Sequence, residues 1–196
     1  MTKKNNSVIL KQLIRQFSNG SFNSLLNSLI KFKTQSDLDV IKANFNYLYK
    51  NTQLSNIIEK HLFPENLSDL KNYPRIVKTT MERELLWTAF LINNNVNKIN
   101  EYLLFKKEYE SYVFIGEYHE ALKILNLVKE YFGYSLWLIQ NELILKQKIE
   151  GLESQKDYAK KLKENSNKKT FISFFIHFFS IKCEDNITSK DRKSVV

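Results

Sequence analysis

Gly116-Glu-Tyr-His-Glu-Ala-Leu-Lys-Ile-Leu-Asn-Leu-Val-Lys-Glu130 decides the reading of this chain. After the glycine, Tyr118, Ala121, Leu125 and Val128 recur at intervals of three and four, the period of one helix face. Gly116 precedes the segment and Gly133 follows it, so the spacing predicts a helix over 118–132. The same punctuation runs through the whole chain. Gly20, Pro64, Pro74, Gly116, Gly133 and Gly151 are its glycines and prolines, and all fall between apolar-periodic segments.

Working outward, Ser7 is a candidate N-cap for a helix carrying Ile9, Leu10, Leu13, Ile14 and Phe17, with Gly20 past its end. A second starts at Ser21 and places Phe22, Leu25, Leu26, Leu29 and Ile30 on one face. Ser36 and Asp39 form a weak capping box before Leu38, Ile41, Phe45, Leu48 and Tyr49. Leu54 to Phe63 makes a fourth segment, which Pro64 stops. Thr79 and Glu82 make a capping box for a helix over 81–93, and Asn95 caps the next, over 96–115. Further helices fit 135–150, 152–164 and 170–182, with a polar linker over 165–169. No strand-like alternation competes, so the expected fold is all-α, with antiparallel helix pairs forming a repeat array or a bundle. Residues 64–80 are irregular and offer a boundary. The expected domains are an N-terminal helical bundle over 1–75 and helical repeats over 76–190.

Composition narrows the classes further. The chain has 196 residues, 43% of them hydrophobic, enough to build a core and to exclude wholesale disorder. Four glycines and two prolines argue against a turn-rich β fold. A lone cysteine, Cys183, excludes an intrachain disulfide framework. The net charge is +9, from 26 Lys and four Arg against 21 acids. With 21 Asn and 18 Ile, the Lys content fits a bias toward AT-rich codons. Arginine, the residue for bidentate phosphate and base recognition, is scarce, and no dense basic tract with interleaved aromatics occurs. Nucleic acid is therefore disfavoured as a partner, with non-specific Lys–phosphate contact as a secondary reading. No signal peptide is evident, and the longest nearly apolar run, Phe171–Ile181, is too short to span a bilayer. A cytoplasmic protein without membrane attachment is expected.

The opening stretch resembles the second half of a tetratricopeptide repeat. That pattern has a Gly closing helix A, an aromatic two residues on, a small residue five residues after the Gly, then an apolar and a second small residue. Gly116, Tyr118, Ala121, Leu125 and Val128 stand at those places. Phe105 and Tyr112 sit where helix A carries aromatics. Glu108 and Tyr109 depart from it, Val128 is larger than the usual Ala, and Gly133 replaces the usual Pro. Gly151 follows Gly116 by 35 residues, close to the repeat period, although Tyr158 and Ala159 come later than the pattern asks. The likeness is best over 105–150. It implies paired helices in which the small Ala121 lets helix B approach helix A, and a groove that binds a protein or peptide.

Candidate chemistry is sparse. His61, His119 and His177 are far apart and fit no metal-ligand spacing. His61 reads as a helix-face residue, His119 as solvent-exposed, and His177 as a partly buried neutral imidazole. Cys183 reads as a free thiol without a role. Glu108, Glu110, Glu117 and Glu120 read as a solvated face. Four scattered glycines form no phosphate-binding loop or nucleophile elbow. No catalytic, cofactor-binding or metal-ligating residue is singled out, and no cofactor is expected. Phe171, Phe174, Phe175, Phe178 and Phe179 form one apolar stripe, with Ser173, His177 and Ser180 opposite.

The chain ends Asp191-Arg192-Lys193-Ser194-Val195-Val196. Read back through the genetic code, these residues match a common sequencing adapter. A non-native tail over 191–196 is therefore expected, on the N-terminal fragment of a longer protein. The function expected is a protein-interaction or scaffold module. The alternatives are the regulatory arm of a larger enzyme and non-specific nucleic-acid binding.

Overall fold

A computed structural model describes residues 3–19, 21–71, 79–166 and 171–184. Among them are ten α-helices, one 3-10 helix and no strand. The helices are α1 (Lys3–Asn19), α2 (Phe22–Gln35), α3 (Leu38–Tyr49), α4 (Thr52–Leu62), α5 (Met81–Asn94), α6 (Val96–Ile115), α7 (Tyr118–Phe132), α8 (Leu136–Glu150), α9 (Leu152–Ser166) and α10 (Phe171–Lys182). The 3-10 helix, Leu67–Lys71, lies between α4 and α5. No helix of the described residues is long and apolar enough to cross a membrane.

Several ends differ from the sequence reading. α1 begins at Lys3, so Ser7 lies inside it rather than at its cap. Nothing in Lys3–Asn6 breaks a helix, so winding starts before the apolar-periodic residues that begin at Ile9. Ser36 closes α2 instead of opening α3; its N–H donates to the Phe32 carbonyl. The cap of α5 is Thr80, whose hydroxyl accepts from the Arg83 N–H at 3.4 Å. α9 runs two residues past Glu164, through the start of the expected linker. Gly20, Pro74, the rest of that linker and the tail over 191–196 lie outside the described residues.

The packing divides the chain into one unit of Met1–Leu62 with Pro74–Ile99 and another of Phe63–Tyr73 with Asn100–Val196. α5 is bound into the first unit. Phe45 of α3 meets the Trp87 ring edge-on at 4.8 Å and stacks on Phe90 at 4.8 Å. The Arg83 guanidinium donates to the carbonyls of Lys33 and Ser36, and Lys33 pairs with Glu84 at 2.8 Å. Around Phe45 and Trp87 lie Leu13, Leu29, Phe32, Ile41 and Leu54, all buried.

In the second unit, α7 packs on α8, α8 on α9, and α10 on both α9 and α8. Ala121 is fully buried with Leu125, Val128, Leu138 and Leu145, in a cluster that includes Tyr109 of α6. Tyr102 and Phe105 of α6 lie edge-on to Phe132 of α7, at 5.4 and 5.9 Å. A second cluster joins Ile139, Leu143, Ala159, Leu162, Ile172 and Ile176. Leu67 and Leu70 of the 3-10 helix enter this cluster, which is why Phe63–Tyr73 belongs here. The Tyr134 N–H also donates to the Pro64 carbonyl at 2.7 Å. Gly133 sits directly against that carbonyl: a Cβ on it would lie 2.1 Å from the Pro64 oxygen. Its φ of 73° is in the left-handed region as well.

Candidate functional site

A polar constellation joins three helices of the second unit. Glu142 stands on α8 at helical spacing from the buried Leu138 and Leu145, so its carboxylate is carried inward. The Lys129 ammonium of α7 donates to Glu142 Oε1 at 3.1 Å, and the Tyr158 hydroxyl of α9 donates to Oε2 at 2.8 Å. Lys129 Nζ also lies 4.7 Å from the centre of the Tyr134 ring, a cation–π geometry.

Electrostatics decides what this cluster can do. Burial works to lower the Lys129 pKa, but the Glu142 charge and hydrogen bonds to Glu142 and Tyr134 outweigh it, so the pKa is raised. Burial pushes the Tyr158 hydroxyl up, and the Glu142 charge adds to it. A general base or nucleophile needs a lysine tuned down toward neutrality, and this one is tuned up. The cluster therefore acts as a fixed clamp: a locked ammonium and a locked phenol donor on one buried carboxylate, tying α7 and α9 to α8.

A second polar link joins α6 to α8. The Tyr109 hydroxyl donates to Asn141 Oδ1 at 2.8 Å, and Asn141 Nδ2 donates to the Trp137 carbonyl at 2.7 Å. Burial raises the Tyr109 pKa, which keeps the phenol a donor. A third link joins α9 to α10, where the Ser180 hydroxyl donates to Gln155 Oε1 at 3.3 Å. The Gln155 amide nitrogen is buried with no hydrogen-bond partner among the described residues.

The residues weighed from sequence stay scattered. His119 is exposed, and the His61 side chain lies outside the described residues. His177 is half-buried, with Nδ1 3.4 Å from Lys163 Nζ. Burial, then the Lys163 charge, lowers its pKa, which favours a neutral ring that accepts from the lysine. Glu108, Glu110 and Glu117 are exposed, while Glu120 pairs with Lys123 at 2.6 Å. Among the described residues no group of His, Cys, Asp and Glu could hold a metal ion. Cys183 lines a groove of about 200 Å³ with Gln140, Ile144, Lys148, Phe179 and Lys182. That volume is below the roughly 300–1,000 Å³ of small-molecule sites.

Apolar surface is the other conspicuous feature. The buried face of α10 is Ile172, Ser173, Ile176, Phe179 and Ser180. Ser173 and Ser180 thus face inward, contrary to the sequence reading, because the two isoleucines between the phenylalanines define the packed side. Phe171, Phe174 and Phe178 are 56%, 49% and 46% exposed. Leu103, Leu104, Phe114 and Ile115 of α6 are also exposed.

Sequence reasoning missed the Glu142 clamp, because 13 and 16 residues separate its carboxylate from Lys129 and Tyr158. The readable signal was one carboxylate, next to Gln140 and Asn141, at helical spacing from Leu138 and Leu145. No protein family, no curated protein and no solved structure matches this chain.

Proposed function

We propose that this chain is a cytoplasmic protein-interaction module, a scaffold of helix pairs that takes up a partner helix or apolar peptide on an uncovered face. The observation that carries the reading is α10. One side is packed through Ile172 and Ile176, while the other presents Phe171, Phe174 and Phe178 to solvent. These rings recur at i, i+3 and i+7, the anchor spacing that helix-to-helix recognition uses. Burying a phenylalanine contributes roughly 1.5–3 kcal/mol, so a complementary partner gains substantially by covering three. The clamp on Glu142, by contrast, pairs it with a lysine and a tyrosine whose pKa values are both raised.

A tetratricopeptide-like stacking is part of this proposal. It is supported by α7, α8 and α9 having 15 residues each and by α10 touching both α9 and α8.

The test is selection of displayed random peptides on the full chain. Enriched peptides should be amphipathic helix formers, and Phe171→Ser/Phe174→Ser/Phe178→Ser should abolish their binding. Peptides that bind the triple variant as well as the parent would sink the reading.

A further inference from the structure

The net positive charge of this chain lies almost wholly in one unit. The first unit carries 13 Lys and Arg against five Asp and Glu, whereas the second carries 17 against 16. Within the first unit the bias sharpens. Residues 1–36 hold Lys3, Lys4, Lys11, Arg15, Lys31 and Lys33 and no acidic residue, where the chain average would put about four. A uniform codon bias toward lysine explains a high lysine count. It does not explain an acid-free stretch, nor the near balance of the second unit.

The fold turns this stretch into a surface. α1 and α2 pack on each other through Ile9, Leu13, Leu25, Leu29 and Phe32. Lys11 and Arg15, about one turn apart, stand exposed on α1 with Gln12 between them. The Ser24 hydroxyl of α2 donates to Gln16 Oε1 of α1 at 2.7 Å, which marks the edge where the two helices meet. Lys31 follows Ser24 by seven residues, two turns on along that edge of α2, and is exposed. Asn23 and Asn27 are exposed as well. Lys33 is turned away, onto Glu84 of α5.

We propose that the exposed side of the α1–α2 pair binds the phosphate backbone of nucleic acid without reading its sequence. Lysine and amide side chains supply point charges and hydrogen-bond donors to phosphate and sugar, which position a strand but carry no base specificity. The scarcity of arginine, which counts against base readout, fits that mode. An anionic membrane is the weaker match. Firm binding there is helped by a continuous apolar stripe that inserts, and the exposed Val8 and Phe22 lie toward opposite ends of the pair.

The experiment is fluorescence anisotropy of the full chain with a labelled oligothymidine and a labelled mixed-sequence duplex. Affinity for both should fall linearly in log–log form as salt rises. Lys11→Gln/Arg15→Gln/Lys31→Gln should lower affinity about tenfold or more and reduce the salt slope by about 2–3. Lys107→Gln/Lys148→Gln/Lys160→Gln removes the same charge from exposed positions of the second unit and should leave the slope unchanged. Circular dichroism checks that both variants stay helical. Equal losses in both variants would reduce the effect to net charge and overturn the proposal. So would no binding at low salt, or capture by phosphatidylserine vesicles without any by nucleic acid.

Discussion

Gly133 answers to two separate constraints. Its φ is positive, and its missing side chain is the space the Pro64 carbonyl occupies. Gly151 has a similar φ of 88° but open space around its Cα. Comparing the two separates backbone strain from steric exclusion. Gly151→Ala should cost about 1–2 kcal/mol, the penalty of a left-handed alanine. Gly133→Ala should cost about 2–4 kcal/mol, because the carbonyl must also move and the Tyr134–Pro64 hydrogen bond loosens. Urea midpoints of the two variants measure this; equal costs would mean the Pro64 segment yields freely.

At the scale of elements, α7 and α10 show how burial follows the period. Tyr118, Ala121, Leu125 and Val128 were legible as one helix face, and the last three of them are buried. Ala121 is fully enclosed, so Ala121→Leu should destabilise by about 1–3 kcal/mol through overpacking. A thermal or urea midpoint unchanged by that substitution would mean the cluster has room for three more carbons. α10 was harder to read, because its apolar residues nearly encircle it. Two faces qualified as the packed one, and the period alone ranks neither. The surrounding helices chose Ile172 and Ile176, leaving three phenylalanines outward.

For the whole molecule, the two units have separate cores, one around Phe45 and Trp87 and the other around Ile139, Leu143 and Ile176. Perturbation should stay local to the core it strikes. Phe45→Ala should cost about 3–5 kcal/mol by leaving a cavity. In amide hydrogen exchange, protection should fall across α2, α3 and α5 and change little in α8 and α9. Equal loss of protection in both units would show that they unfold as one. The charge follows the same division, since the basic excess lies almost wholly in the first unit.

By itself the sequence determined that the fold is all-α and where most of its described helices lie. Those properties depend on neighbours a turn away and on glycine and proline at the joints, both of which are local. It also disclosed which titratable residues lack partners at short spacing. Only the tertiary structure decided which helices keep company. α5 joins the first unit because Trp87 meets Phe45 across 42 residues of chain, and the Pro64 segment joins the second because its carbonyl meets the α7–α8 turn. It likewise decided that Glu142, Lys129 and Tyr158 form one clamp, and which face of α10 stays open. Such contacts are set by the mutual fit of surfaces far apart in sequence, and no local spacing encodes that fit.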